Sequence, residues 1–299
     1  MSEIRNNDGL TEKEFLEQYK PGDYERPSIT VDMLLFTVDK KPVNNVRSDN
    51  ESELKILLIK RKDHPFIHKW ALPGGFVGIN ENISDAAKRE LKEETNISNV
   101  YMEQLFTFGD VERDPRMRVI SASHMALIPK SSVNPIAGDD AEDVAWFSVS
   151  KTLTKVKSDR ELLYKLTISN EELKINESYI VDETIKMNGK VPIKDTIVTN
   201  IDENNILAFD HIKQINMAIN RLRNKVEYTP IAFNLLEDRF TLNEVQSLYE
   251  LLLGKKLVKQ NFRVKIAKFV SPVEEMQVNV GHRPAKLYKL KELNIDEIG

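Results

Sequence analysis

No cysteine occurs in the 299 residues, so disulfides and thiolate metal sites are excluded together. The five histidines are scattered and show none of the spacings that hold zinc. No apolar run approaches the roughly 20 residues that a membrane-spanning helix needs, so no membrane partner is expected. The opening segment, MSEIRNNDGLTEKEF, is too polar for a signal peptide, and the expected location is cytoplasmic. Neither an internal repeat nor a low-complexity tract is visible. What remains is an ordinary globular composition, 40% apolar and 30% charged, long enough for about two domains.

The net charge of −4 conceals an asymmetry. Residues 255–291 carry ten Lys or Arg against two acids, Glu274 and Glu275, which makes that stretch +8 and the rest −12. A basic C-terminal end suits an anionic partner, nucleic acid first; the alternative is a solvated lysine-rich face.

Local patterns divide the chain. Thr11 and Glu14 have capping-box spacing at the head of a short helix. Residues 27–39 and 53–61 are rich in apolar and β-branched side chains and predict strands, as do 100–108 and 118–128. Between them, 82–95 predicts a helix crowded with acids. GDDAEDVAWFSV (138–149) predicts an acidic loop leading into a strand. Residues 151–205 predict a β-rich insertion of short strands with a turn at MNGK, an elaboration that is structural or stabilises a dimer. Ile212, Ile215, Ile219 and Leu222 recur at helical steps, which predicts a helix over 207–226. Pro230 starts a new unit. There, 241–254 predicts a helix with a Thr241–Glu244 capping box and a Gly254 stop; 259–270 predicts a second, basic helix and 271–290 a hairpin.

The acidic helix poses a chemical problem. Glu90, Glu93 and Glu94 fall on one face, and like charges so placed repel each other. Arg89 offsets one of them. A hard divalent cation offsets all three, since Mg²⁺ takes carboxylate oxygens and leaves positions for water and phosphate. Gly74 and Gly75 let the backbone pass close by, where a carbonyl adds a ligand. Gly75, Glu81 and the run RELKEETNI then resemble the Nudix box, G-x5-E-x7-R-E-U-x-E-E-x-G-U with U apolar. Arg89, Glu90, Leu91, Glu93, Glu94 and Ile97 match; the one departure is Asn96 in place of glycine. Asn is the next best residue for a left-handed helix end.

That resemblance implies roles for the residues. Glu90 and Glu94 are the main metal ligands, Glu93 supports them, and the Gly74 carbonyl also binds the ion, Mg²⁺ or Mn²⁺. Arg89 orients the glutamates, and Glu81 secures the junction of loop and helix. Glu94, Glu93 and Arg89 form the catalytic group. Nudix enzymes cleave a nucleoside diphosphate joined to another group, often with a base from a later loop. The candidates are Asp139, Asp140 and Glu142, or that loop is only a polar turn. The segments DHPFIHKWALPGGFV, DVERDPRMRVIS and LAFDH resemble the ADP-ribose-handling branch. Arg113 and Arg116 are suited to grip phosphate or ribose, because a guanidinium offers a bidentate fork; the alternative is a loop held by its own Arg–Asp pairs. His211 is expected to cap or pack.

The C-terminal unit resembles the winged-helix domain of the Nudix-related transcriptional regulators of NAD metabolism. Lys259, Arg263, Lys265, Arg283 and Lys286 are the candidate DNA contacts. Phe262, Ile266 and Phe269 lie at helical spacing and are expected in the core. The family's common second arginine after Arg263 is Val264 here. The expected fold is α/β (α+β): a Nudix α/β/α sandwich (1–226; box 75–97; β-rich insertion about 151–205) followed by a winged helix-turn-helix (227–299). The expected function is Mg²⁺-dependent hydrolysis of ADP-ribose or a related nucleoside diphosphate derivative. The alternative is an ADP-ribose-sensing, DNA-binding regulator, working as a homodimer on duplex DNA.

Overall fold

The computed structural model describes residues 4–40, 52–96, 100–132, 141–201, 205–276 and 285–292. In chain order the elements are α1 (Glu12–Gln18), β1 (Ser28–Lys40), β2 (Ser52–Arg61), β3 (Trp70–Ala71), β4 (Gly74–Phe76), α2 (Ile83–Thr95), β5 (Tyr101–Phe108), β6 (Val119–Leu127), β7 (Ala141–Ser158), β8 (Glu161–Asn170), β9 (Ile175–Asn188), β10 (Val191–Asn200), α3 (His211–Lys225), α4 (Leu242–Leu253), α5 (Lys259–Ile266), β11 (Val270–Met276) and β12 (Lys286–Leu290).

One sheet dominates, in the order β10-β9-β8-β7-β2-β1-β6-β5, with β3 added on β2 and β4 on β1. β1 runs parallel to β6 and antiparallel to β2 and β4. Its sequence TVDMLLF is apolar on both faces, which suits a central strand covered twice. Val31, Met33 and Leu35 pack with Ala86, Ala87 and Leu91 of α2. Leu34 and Phe36 point the other way, into a second cluster with Ile212, Ile215, Ile219 and Leu222 of α3. The period-two alternation thus assigns each helix its own face of the sheet.

Residues 151–205 do not make a separate lobe. They extend β7 and form β8, β9 and β10, a meander that continues the main sheet outward from β2. The MNGK turn is a two-residue connection, Gly189 and Lys190, with Gly189 at φ 61°, where a side chain would be strained. The expected helix over 207–226 starts only at His211. Tertiary pairing takes the first residues: Trp70 N–H donates to the Ile206 carbonyl, and Ala208 N–H donates to the Trp70 carbonyl, both at 2.8 Å.

The second apolar cluster runs on past α3 into Phe233, Val245, Leu248 and Phe262, so α3 is packed by the sheet and by the C-terminal unit. That unit is a winged helix. In α4 both halves of the Thr241–Glu244 capping box are made, and Gly254 ends the helix at φ 66°. α5 stops at Ile266, short of the expected 270, because Val270 already pairs with Leu290 in the β11–β12 wing. Among the described residues no helix is long and apolar enough to cross a membrane.

Candidate functional site

The two glycines are required by what lies against them. Gly74 and Gly75 pair with Asp32 and Val31 of β1. A Cβ on Gly74 would sit 2.1 Å from the Val31 carbonyl oxygen, and one on Gly75 would sit 2.1 Å from Glu90 Oε1. The Glu90 carboxylate therefore occupies the space that the missing side chain leaves. Arg89 is the hub of the cluster. Its Nε and Nη2 donate to the two Glu81 oxygens at 2.9 and 3.1 Å, and its Nη1 donates to Glu90 at 2.7 Å and Glu93 at 3.1 Å. Nη2 also reaches the Phe76 carbonyl at 3.2 Å, and Glu81 accepts from Gly78 N–H at 3.1 Å. The loop and the head of α2 are thus tied by one guanidinium. Hydrogen bonding from Arg89 holds the Glu81 carboxyl below its ordinary range. Glu90 goes the other way: burial raises it, and Arg89 offsets that only in part.

Glu90 and Glu94 are buried and Glu93 is exposed. A buried carboxylate raised by desolvation, on a helix that offers further hard oxygen donors, fits a divalent cation in its chemistry. With Arg89 drawing Glu90 and Glu93 to itself, no three acidic or histidine side chains among the described residues gather at metal-binding distance. α2 ends at Asn96, which adopts the left-handed conformation at φ 55° and donates its N–H to the Lys92 carbonyl. Asn thus fills the glycine position of the box at a conformation it tolerates. Ile97 lies outside the described residues.

A cleft of about 290 Å³ opens beside the box, and Gly74, Gly75, Phe76, Arg61 and Phe209 are among the residues that line it. Arg113 and Arg116 line it, but the structure has already committed their guanidiniums. Arg113 is buried and donates to Asp210 at 2.8 and 3.1 Å and to Asp32 at 3.2 Å. Arg116 holds Asp114 at 2.8 and 3.0 Å and lies 5.7 Å from the centre of the Phe76 ring. The sequence offered a loop held by its own Arg–Asp pairs as the alternative to ligand contact: Arg116 makes such a pair, whereas Arg113 reaches outside its loop to Asp32 and Asp210. Arg116, 40% exposed, is the one able to turn to a ligand.

Beneath the cleft lies a buried network that the sequence reading missed. Asp32 accepts from Ser121 at 2.6 Å and Gln214 at 2.8 Å besides Arg113, and Gln214 also donates to Asp210. Burial raises Asp210, but Arg113 outweighs it and keeps the carboxyl below its ordinary range. The signal in the sequence was Asp32 itself, a lone acid in an apolar strand. His211 packs as expected: its Nδ1 accepts the Leu72 N–H at 2.9 Å, which requires an unprotonated nitrogen, and burial lowers its pKa. Of the candidate bases, Asp139 and Asp140 lie outside the described residues. Glu142 stands apart from the cleft lining, bonded by His68 at 2.8 Å and Lys60 at 3.2 Å, and these two lower its pKa.

A second unforeseen cluster joins the sheet to α3. Lys151 is fully buried and donates to Glu183 at 2.5 Å, Asn216 at 2.8 Å and Asn220 at 2.9 Å. Burial brings the ammonium down to about 8. Burial also raises Glu183, yet its bonds from Lys151 and Lys194 outweigh this and hold it below the ordinary range. Close by, Arg223 of α3 donates to the Lys151 carbonyl at 2.6 Å and to the Leu252 carbonyl of α4 at 3.2 Å.

In the winged helix, Lys259 and Arg263 are exposed on α5 and Lys286 on β12. Lys265 differs: its ammonium donates to the Glu227 carbonyl at 2.7 Å, a contact with the preceding segment. Arg283 lies outside the described residues. Phe262, Ile266 and Phe269 are buried, and Phe262 meets Tyr249 edge-on at 5.2 Å.

Two family models match the chain: the NUDIX domain over residues 39–166 and the NrtR DNA-binding winged helix domain over 232–290. An ADPR responsive transcriptional repressor, NtrR, of Acinetobacter baylyi is 31% identical over 282 residues, covering 93% of this chain and 88% of the repressor. An ADP-ribose pyrophosphatase of Methanocaldococcus jannaschii is 33% identical over 156 residues, 52% of this chain and 80% of that enzyme. Among solved structures, Shewanella oneidensis NrtR complexed with a 27mer DNA aligns at a TM-score of 0.56 and 26% identity, covering 88% of this chain and 93% of that one. Sequence, sheet and C-terminal unit agree, and the chain belongs to the NrtR family, in which a Nudix domain is fused to a winged helix.

Proposed function

We propose that this protein is an ADP-ribose-responsive DNA-binding regulator whose Nudix cleft is the sensor and whose winged helix binds the operator. The observation that carries the reading is α3. Its N-cap Asp210 and first-turn Gln214 belong to the network under the cleft, and its last turn carries Arg223, bonded to α4. One helix therefore contacts both the ligand end and the DNA end. The full-length likeness to an ADPR-responsive repressor supports the same reading. We assign residues 1–226 to the Nudix unit and 227–299 to the winged helix. Lys259, Arg263 and Lys286 contact duplex DNA, and the working species is a homodimer, since two half-sites suit two recognition helices. The test is fluorescence anisotropy on promoter DNA: binding weakens steeply with salt, and ADP-ribose shifts the affinity. Salt-independent binding that ignores ADP-ribose refutes the reading.

Hydrolysis is a second reading, favoured by the intact Arg89–Glu81–Glu90–Glu93 cluster. Glu90 and Glu94 would hold Mg²⁺, with Glu93 and the Gly74 carbonyl in support. The ion supplies an activated water and neutralises charge on the diphosphate. Arg89 keeps the glutamates in place, and Arg116, released from Asp114, steadies the phosphate. Incubation with Mg²⁺ and ADP-ribose tests it: AMP and ribose 5-phosphate appear with the native chain and not with Glu94→Gln. Their absence from both reactions leaves a sensor without turnover.

A further inference from the structure

We infer that Val264 reads a thymine, by packing against its C5-methyl group in the major groove. The inference rests on the DNA-binding reading above and adds to it a residue that selects a base.

The core decides which side of α5 turns outward. Phe262 and Ile266 are buried, and Phe262 packs on Tyr249 of α4, so their side of the helix is the inner one. At about 100° per residue, Val264 stands about 180° from the midpoint of that pair. Gln260 lies about 40° to one side of it and Asn261 about 60° to the other. Val264 is accordingly 74% exposed, and both amides are exposed beside it. Lys265 turns aside to the Glu227 carbonyl. The outermost position of this basic helix is therefore held by an apolar side chain.

A lone exposed apolar residue is ordinary on a protein surface and calls for no partner. Val264 differs in its setting. α5 carries Lys259, Arg263 and Lys265 and no acid, and valine is a poorer helix former than the lysines and glutamine beside it. Neither local charge nor helix propensity accounts for it. Cations at the flanks suit the phosphate backbones that border a groove, and the centre of such a face meets the base edges. Of the four ordinary bases only thymine presents a methyl group there, so a short branched apolar side chain favours T·A. A side-chain amide such as that of Gln260 or Asn261 suits the N6–N7 edge of an adenine next to it. One apolar residue in a basic surround is too little for the apolar centre of a protein interface, from which charged residues are depleted.

The test starts from a random-sequence duplex pool, selected on the native full-length chain with and without ADP-ribose. Each thymine of the enriched duplex is then replaced by deoxyuridine, which removes only the methyl group, and affinity is read by anisotropy at one salt concentration. One thymine in each half-site should stand out, its replacement weakening native binding about fourfold, the scale of one methyl group withdrawn from contact. Val264→Ser should melt like the native chain and bind the thymine and deoxyuridine duplexes equally within about 1.5-fold. The inference is overturned if no thymine stands out, if selection enriches no sequence, or if Val264→Ser keeps the fourfold penalty. In each of those cases salt-dependent binding of the pool leaves the regulator reading in place. A native chain that binds no duplex, with or without ADP-ribose, refutes both.

Discussion

At the scale of single residues, the cleft is governed by what can be placed against a carboxylate. Gly75 leaves the space that Glu90 fills, so Gly75→Ala must displace either the strand or the glutamate. We expect ADP-ribose affinity to fall at least about tenfold while the melting temperature drops by only a few degrees, because the damage is local. Titration beside a melting curve separates the two effects. Lys151 and Glu183 present the buried counterpart. Glu183→Gln leaves a desolvated ammonium without its counter-charge and should cost about 3 kcal/mol or more in urea unfolding, whereas the double change with Lys151→Met should recover most of it. A Glu183→Gln chain as stable as the native one would refute that account. Histidines set the pH response. Burial lowers both His124 and His211 from the ordinary 6.5, so the unfolded chain binds more protons than the folded one in mildly acid solution. Their contribution is complete above about pH 6.5 and is lost as pH falls through that value toward the depressed folded pKa, with a slope of up to about 1.4 kcal/mol per pH unit for each ring. Asp210 and Glu183, held low in the fold, add a further loss below about pH 4. Urea midpoints measured from pH 4 to 8 should show both stages.

Whole elements were legible where the signal was local. Thr241–Glu244 and Gly254 announced α4 because a cap and a stop are written into adjacent residues. Removing the cap with Thr241→Ala should cost about 1 kcal/mol, read as a lower urea midpoint with ADP-ribose affinity unchanged. The box was legible for the same reason: α2, its glycine lead and the left-handed Asn96 all stand at fixed spacing. Tertiary pairing was not legible. Residues 207–210 carry helical periodicity, yet they are taken by Trp70 across the sheet, so α3 starts late. Residues 151–205 read as strands, but the sheet they join is set upstream, where residues 141–148 at the start of β7 pair with β2, as Ser148 does with Lys55, 93 residues away. The pairing of Arg113 is not legible either, because its partners, Asp32 and Asp210, are 81 and 97 residues distant. Spacing along the chain says nothing about pairs of that kind.

For the whole molecule, the basic charge gathers at the C-terminal end. On the proposed reading few of its described basic residues reach DNA, so each should register in the salt dependence. Arg263→Ala should flatten the slope of log affinity against log salt by about one unit. Lys265→Ala should leave that slope nearly unchanged, because its ammonium already serves the Glu227 carbonyl. Arg223→Ala removes donors to both the Lys151 and Leu252 carbonyls. It should leave ADP-ribose binding within about threefold while reducing the effect of that ligand on DNA affinity, as measured by anisotropy with and without the nucleotide.

The fifteen residues of α3 make a stiff rod about 22 Å long. Each end is gripped by a guanidinium bond: Arg113 holds the N-cap carboxylate, and Arg223 reaches out to the end of α4. On the proposed sensor reading, a push at Asp210 would travel along this rod toward the Leu252 carbonyl, as a bell-pull carries a tug from one room to the next.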